Sequence, residues 1–121
     1  MGRWLIDGNN VMGSRPDGWW NDRPKAMARL VQEIALWCRS HQDEVVVVFD
    51  GRTVADVAIL AGGNLSIRFA VRSGRDAADD VLAELAEAGD RLVTADRGLR
   101  GRVSADVRLI GPRAFLDTIA G

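Results

Sequence analysis

The sequence of 121 residues predicts a three-layer α/β/α fold around a mostly parallel sheet of about five strands. Segments with strand character alternate with segments of helical periodicity from one end of the chain to the other. Residues 45–49 are apolar without alternation, which is typical of a strand buried on both faces of a parallel sheet. Because no linker, repeat or low-complexity tract interrupts this order, we expect a single domain over residues 1–121.

The first half of the chain predicts two strands, a long loop and a helix. In order, these are a strand at residues 4–6, a loop from residue 11 to about residue 23, a helix at 24–39 and a strand at 45–49. The loop is predicted because no period is visible there, and a loop of this length in a small domain is usually functional or mobile. Asp22 is placed to cap the helix, whose apolar residues recur at helical spacing.

The second half continues the alternation with shorter elements. They are a short helix within residues 53–61, a strand at 65–71, a helix capped by Ser73 and stopped by Gly89, strands at 92–95 and 107–110, and a helix opened by Gly111 and Pro112 that runs to residue 119. Ligands of such sheets bind outside the carboxyl ends of the strands, so this edge is where we expect function.

Composition excludes several classes of protein. The single cysteine, Cys38, rules out an internal disulfide and a cysteine-cluster zinc site, and the single histidine, His41, rules out a two-histidine mechanism. The 16 basic and 17 acidic residues leave a formal charge of −1, which argues against a polybasic arm. The longest apolar run is too short for a membrane span, and the start lacks a signal-peptide layout, so we expect a soluble cytoplasmic protein.

Acidic side chains follow several predicted strands at the point where each strand ends. Asp7, Asp50 and Asp96 end the first, second and fourth strands, and further acids occupy the first turns of the helix after the third strand. Parallel strands bring these positions to one edge, where carboxylates would repel one another unless a cation lay between them. Mg²⁺ or Mn²⁺ prefers such oxygen ligands, and a site of this kind suits phosphodiester hydrolysis.

Helix geometry ranks Asp76, Asp79 and Asp80, the three acids of that helix. Asp79 lies about 110° from the centre of the apolar stripe, on the side of the sheet edge, whereas the other two point further toward solvent. Asp79 is therefore the better metal ligand. Each acid also has a structural interpretation: Asp50 as a turn or cap residue, Asp76 in a capping box with Ser73, and the others as partners of the helix dipole.

The neutral residues beside Asp7 also suit such a site. Asn9 and Asn10 can hydrogen-bond a metal-bound water or a phosphate oxygen, and Gly8 lets the backbone come close. An Asx-turn is the structural alternative for the two asparagines. For His41 we expect a role at a helix C-terminus, and for Cys38 a packed thiol.

Four short motifs stand in order along nearly the whole chain: Leu5-Ile6-Asp7-Gly8-Asn9-Asn10, Val46-Val47-Val48-Phe49-Asp50-Gly51, Ala78-Asp79-Asp80-Val81 and Val93-Thr94-Ala95-Asp96-Arg97. Together they resemble the NYN domain, a branch of the PIN-like metal-dependent ribonucleases, and within it the bacterial YacP-like group. The resemblance implies a PIN-like fold, endoribonuclease activity and Mg²⁺ or Mn²⁺ as cofactor.

The resemblance also assigns roles to the acidic residues. It implies that Asp7, Asp79 and Asp96 are metal-binding carboxylates and that Asn10 and Asp80 assist catalysis. Two departures stand out: Arg100 occupies a place where some relatives carry another acid, and YacP-like chains are commonly longer at the C-terminus. The first departure makes the ligand set leaner and bears on whether a second metal binds.

Several residues near the strand ends are candidates for contacts with RNA. They are Asn9, Arg52, Arg75, Arg97, Arg100, Trp19 and Trp20. Arginines at this edge can hold phosphates while the carboxylates hold metal, and the two tryptophans of the long loop can stack an unpaired base. The alternative for the tryptophans is that they fix the loop to the domain or form a dimer contact.

The sequence leaves two main functional hypotheses. The first is a Mg²⁺- or Mn²⁺-dependent endoribonuclease that cuts single-stranded RNA, either mRNA or another cellular RNA. The second is an RNA- or ribosome-binding module with the same fold and little or no turnover. A phosphoacceptor domain of the receiver type is disfavoured because Lys25, the one lysine, does not follow a late strand. We expect RNA as partner, no membrane, and a monomer or weak homodimer.

Overall fold

A computed structural model of the chain describes residues 2–71 and 77–121. The strands are β1 (Arg3–Asp7), β2 (Glu44–Asp50), β3 (Leu65–Ala70), β4 (Arg91–Val93) and β5 (Arg108–Ile110). The helices are α1 (Gly8–Gly13), α2 (Arg23–Cys38), α3 (Ala55–Ala58), α4 (Ala77–Leu85), α5 (Arg97–Arg100) and α6 (Pro112–Ala120), and a 3₁₀ turn spans Trp19–Asn21.

The five strands form one sheet in the order β3-β2-β1-β4-β5, and every neighbouring pair is parallel. This confirms the predicted α/β fold and its parallel sheet. From β1 the chain builds outward through β2 to β3, then returns to place β4 on the other side of β1. The carboxyl ends of β1 and β4 therefore flank the point where the strand order reverses, which is where open α/β sheets hold their ligands.

Helices cover both faces of the sheet and give the three predicted layers. Helices α1, α2, α3 and α6 pack on one face, where Ile6, Val47 and Phe49 lie, and α4 and α5 pack on the other against Leu5 and Val48. Residues 45–49 are all buried, as their lack of alternation predicts. Burying each of these side chains stabilises the fold by roughly 1.5–3 kcal/mol, so β2, which ends beside the site, is anchored by the core.

The predicted loop from residue 11 to about residue 23 is wrong in its first part, because α1 begins directly after β1. The Asp7 side chain caps this helix by accepting a hydrogen bond from the backbone N–H of Asn10, and Val11 and Met12 are buried. A helix of six residues is too short to show a period in the sequence. The helix can begin here because glycine has no Cβ. A Cβ at position 8 would stand 2.5 Å from the Phe49 ring, closer than any side chain allows.

Helix α2 confirms the sequence prediction closely. Asp22 caps it by accepting from the backbone N–H of Lys25 at 3.2 Å, and its buried side chains are the periodic ones, Met27, Leu30, Val31, Ile34 and Cys38. Within the described residues no helix is long and apolar enough to span a membrane, and α2, with 16 residues, is the longest among them.

The second half differs from the prediction mainly in short elements. The strands predicted at residues 92–95 and 107–110 are only three residues each. A one-turn helix, α5, follows β4 where the sequence indicated no helix. Helix α6 begins at Pro112, whose missing N–H and fixed φ suit the first helical turn. The predicted cap Ser73 lies outside the described residues.

Candidate functional site

Asp7 is the central acidic group of the carboxyl edge. It ends β1, and only 5% of its surface is exposed. One carboxylate oxygen, Oδ2, accepts a hydrogen bond from the Thr94 hydroxyl at 2.9 Å, and Oδ1 accepts a longer one from the Asn10 backbone N–H at 3.4 Å. The parallel register of β1 and β4 brings Thr94, the residue after β4, beside the residue that ends β1.

The environment of Asp7 opposes its negative charge. Burial raises the pKa of the Asp7 carboxyl from 3.8 to about 6, and the hydrogen bonds from Thr94 and Asn10 offset only part of that effect. The nearby carboxylates of Asp50 and Asp96 raise this pKa further by repulsion. Three acids at the ends of β1, β2 and β4 thus act on one another electrostatically, as the strand-end pattern predicts.

Thr94 links Asp7 to Asp96. Its buried hydroxyl donates to Asp7 and accepts a hydrogen bond from the backbone N–H of Asp96 at 3.0 Å. Asp96 in turn caps α5, because its Oδ1 accepts from the Leu99 backbone N–H at 2.9 Å. The two aspartates predicted to share a metal are therefore joined through one threonine, a connection that the sequence prediction did not include.

Asn9 and Asn10 fasten α1 to the strand ends on either side. Oδ1 of Asn9 accepts from the backbone N–H of Asp50 at 2.7 Å, and Oδ1 of Asn10 accepts from the backbone N–H of Ala95 at 2.8 Å. The predicted Asx-turn does not describe these bonds, which reach 41 and 85 residues along the chain. Both carbonyl oxygens position the backbone of the site, and the predicted contacts of these residues with substrate stay predictions.

The remaining acids have different surroundings. Asp50 Oδ1 accepts from the Ala78 backbone N–H at 2.7 Å at the start of α4, which agrees with the capping interpretation of this residue. Asp80 forms an ion pair with Arg102 at 2.9 Å near the surface. Asp79 is half-buried in the first turn of α4. Asp76 and Arg75, two further residues of the sequence analysis, lie outside the described part of the chain.

Of the candidate arginines that the structure describes, one is fixed by hydrogen bonds to the backbone and two are exposed. Arg100 is half-buried and donates from Nε at 3.2 Å and from Nη2 at 2.8 Å to the Thr94 carbonyl oxygen. It thereby fixes the residue that contacts Asp7, a positioning role that the sequence did not indicate. Arg52 and Arg97 are exposed beside the strand ends and remain candidates for phosphate contacts.

The two tryptophans also differ. Trp19 is half-buried and packs against the core, as the loop-fixing interpretation predicts. Trp20 is 63% exposed and meets Trp19 edge to face, with ring centroids 6.0 Å apart. The structure therefore separates two residues that the sequence treats alike.

The donor set at this edge suits a hard divalent cation. The Thr94 hydroxyl bonds both the Asp7 carboxylate and the backbone N–H of Asp96, and the repulsion on Asp7 is what a bound cation would relieve. Across residues 2–71 and 77–121, no three His, Cys, Asp or Glu side chains are gathered closely enough to hold a metal by themselves. Mg²⁺ commonly uses one or two carboxylates and completes its shell with water and substrate phosphate, so this leaner set still fits it.

Two crystal structures of Rae1 (YacP) from Bacillus subtilis match this fold over 99% of the chain with a TM-score of 0.73. This chain has the fold of Rae1. The wild-type Rae1 structure is 20% identical and is covered over 74% of its length, and a point mutant of Rae1 is 21% identical and covered over 76%. No family model and no curated protein matches the sequence. The match to Rae1 bears out the YacP-like fold that the resemblance implies.

Proposed function

We propose that this chain is a metal-dependent endoribonuclease that hydrolyses phosphodiester bonds of single-stranded RNA. The observation that carries the proposal is Asp7: a buried carboxylate, repelled by Asp50 and Asp96, at the switch point of a Rae1-like sheet. Unpaired buried carboxylates destabilise a fold, and they recur where a protein binds cations or does acid–base chemistry. The exposed Arg52 and Arg97 at the same edge carry positive charge that supports a polyanionic substrate.

In this proposal, Asp7 and Asp96 would hold Mg²⁺ or Mn²⁺ directly, and Asp79, which the described residues do not gather with them as a third ligand, would contribute through a bound water. A cation held there would supply a nucleophilic water at neutral pH and would neutralise the charge that develops on phosphate. The chain positions these groups. Thr94 holds the Asp7 carboxylate through its hydroxyl, and Asn10 keeps α1 against the residue that precedes Asp96.

Exposed arginine side chains complete the proposed site. Arg52 and Arg97 lie at the ends of β2 and β4, where each can donate to phosphate oxygens of the substrate backbone. Asp80 is already paired with Arg102 near the surface, so its proposed assistance is to hold that arginine at the rim. Such contacts fix the register of the backbone without reading the base sequence.

A second candidate is an RNA- or ribosome-binding module without turnover. The observation that favours it is the lean ligand set: no three acidic side chains of the described part gather as ligands, and Arg100 stands in place of an acid. The two functions differ in one measurable property, because the module needs no cation whereas the nuclease does.

The test is cleavage of a labelled single-stranded RNA by the purified protein with Mn²⁺, beside Asp7→Asn and the control Asp56→Asn. Asp56 is exposed in α3 and is not one of the proposed metal ligands. We expect cleavage by the wild type and the control and a loss of at least about 100-fold in Asp7→Asn, because a metal ligand and its charge are removed. Calorimetric titration with Mn²⁺ accompanies it. RNA binding with no cleavage and no Mn²⁺ uptake would establish the module instead.

A further inference from the structure

A groove of about 590 Å³ lies between the end of α1 and the start of α6. Its walls include Asn10, Ser14, Trp19, Ala95, Arg113 and Ala114. This volume is within the range of pockets that hold small organic groups, roughly 300–1,000 Å³. Neither Ser14 nor any residue of α6 stood out in the sequence as a binding residue.

The groove is continuous with the candidate catalytic edge. Asn10 and Ala95, which share the 2.8 Å hydrogen bond, form part of its wall. The backbone N–H of the same Asn10 donates to Asp7, and Ala95 directly precedes Asp96. A strand of RNA with one phosphate at these carboxylates therefore has a neighbouring nucleotide within reach of the groove.

The walls of the groove suit a nucleobase. Most of the lining surface is apolar, and Trp19 supplies the one aromatic side chain among these residues, all of which the structure describes. The indole is held in place, since it is half-buried and packs against the core. A fixed aromatic wall stacks bases without regard to their identity.

The charge of the groove suits a nucleotide rather than a cation or a purely apolar group. Arg113 is the one charged residue among the described lining residues, and it is exposed. An arginine at the rim of an apolar pocket can donate two hydrogen bonds to the phosphate attached to a buried base. Trp20 is not part of this lining, although it is the more exposed tryptophan.

We propose that this groove binds an unpaired nucleobase of the RNA substrate next to the scissile phosphate, with Trp19 as the stacking wall and Arg113 on the adjoining phosphate. The inference rests on the proposed function, since it assigns a base subsite to that site. In this proposal Trp19 both fixes the loop and faces the base, whereas Trp20 lies outside the groove lining.

The test fills the groove. Ala114→Leu places a larger side chain in its wall at an exposed helix position, and Ala120→Leu makes the same change at an exposed position of α6 outside the groove. Both are introduced into Asp7→Asn protein, which is not expected to cleave, and Kd for a short labelled single-stranded RNA is measured by fluorescence anisotropy. We expect about tenfold weaker binding for Ala114→Leu, the scale of one lost stacked base, and no change for Ala120→Leu.

A second measurement changes the RNA instead of the groove. The same RNA with abasic sites at its central positions removes the base and keeps every phosphate. We expect abasic RNA to bind about tenfold more weakly than intact RNA to protein with an open groove, Ala120→Leu included, and about as well as intact RNA to Ala114→Leu, whose groove is already filled. Arg113→Gln is expected to lower the salt dependence of binding by roughly one phosphate contact. Equal binding of intact and abasic RNA to the open groove would overturn the base subsite.

The outcomes separate this inference from the proposed function. If the wild type cleaves RNA but neither Ala114→Leu nor base removal weakens binding, the groove holds no base and the nuclease stands. If the wild type cleaves nothing with Mn²⁺ while both changes weaken binding as expected, the base subsite stands on an RNA-binding module. If Ala114→Leu weakens intact and abasic RNA alike, the effect comes from the helix and the inference fails.

Discussion

Two aspartates at opposite edges of the sheet are nearly equally buried but differ in their partners: one forms an ion pair and the other, within the described part of the chain, does not. At the amino edge, Asp90 is 7% exposed and accepts hydrogen bonds from Arg3 at 2.6 Å and from the Glu87 backbone N–H at 2.9 Å. The hydrogen bond to Asp90 raises the pKa of the Arg3 guanidinium, so Arg3 stays charged. At the carboxyl edge, Asp7 has a hydroxyl and an amide as partners and, among the described residues, no ion pair.

This difference separates a structural carboxylate from a functional one. A buried charge with a partner contributes to one defined fold, whereas a buried charge without one costs several kcal/mol in desolvation. A fold retains such a cost where a ligand relieves it, which is why the Asp7 edge, and not the Asp90 edge, is the candidate site. The same substitution at both positions therefore tests the interpretation directly.

Asp90→Asn is expected to have the largest effect on stability. It removes the negative partner of Arg3 and leaves that guanidinium half-buried beside a neutral amide. We expect the free energy of unfolding to fall by roughly 2–4 kcal/mol, in the range for breaking a partly buried ion pair. Urea unfolding at neutral pH measures this. A change below about 0.5 kcal/mol would mean that the pair contributes little and that the contrast between the two edges fails.

Asp7→Asn is expected to act in the opposite direction. The pKa of Asp7 is raised from 3.8 to about 6 in the fold, so the unfolded chain releases its proton first as pH rises. The wild type therefore loses stability between about pH 4 and pH 6 and does not regain it above. Without divalent metal at pH 7.5, we expect the variant to be more stable by roughly 1–2 kcal/mol, because it removes the buried charge. The gain is not larger because Asn keeps an acceptor for the Thr94 hydroxyl but loses the acceptor for the Asn10 N–H.

The matching measurement is a set of thermal unfolding curves at several pH values with and without Mn²⁺. The gap between wild type and Asp7→Asn should open between pH 4 and pH 6, and Mn²⁺ should raise the melting temperature of the wild type alone. Equal stability of the two proteins at pH 7.5 would show that the charge of Asp7 is relieved by the fold itself.

Arg100→Lys is expected to have the smallest effect on stability and to show which role this residue plays. Lysine keeps the positive charge but cannot reproduce the two hydrogen bonds to the Thr94 carbonyl, so we expect a loss of about 1 kcal/mol. Because Thr94 orients Asp7, cleavage should fall while RNA affinity stays near that of the wild type. Arg97→Lys, at an exposed position, is the control. Weaker RNA binding with unchanged stability would instead place Arg100 on the substrate, as the sequence predicts.

The sequence predicts most of the fold because the informative elements are long or fully apolar. The unbroken run at residues 45–49 and the periodic face of α2 identify their elements without any tertiary information. Helices α1 and α5 escape prediction, since six and four residues span too few turns to show a period. The sequence indicates that their caps, Asp7 and Asp96, are acids at strand ends, but it does not indicate that they start these helices.

The candidate site is predicted in its residue types and missed in its connections. Strand ends place Asp7, Asp50 and Asp96 together because parallel strands share an edge. The links through Thr94 and Arg100 depend on which side chains meet after folding, and no periodicity records them. The ion pair of Arg3 and Asp90 cannot be predicted from the sequence for the same reason, since 87 residues separate the two partners.

The long-range hydrogen bonds of α1 affect the stage of folding at which the site forms. Asn9 and Asn10 bind backbone groups 41 and 85 residues away, and Asp7 meets Thr94 across 87 residues. Contacts between such distant parts of a chain form late, because the entropy of closing long loops opposes them. A nascent chain that still lacks β4 has no assembled carboxylate edge, so the proposed nuclease site cannot form before Thr94 and Ala95 reach β1 and α1.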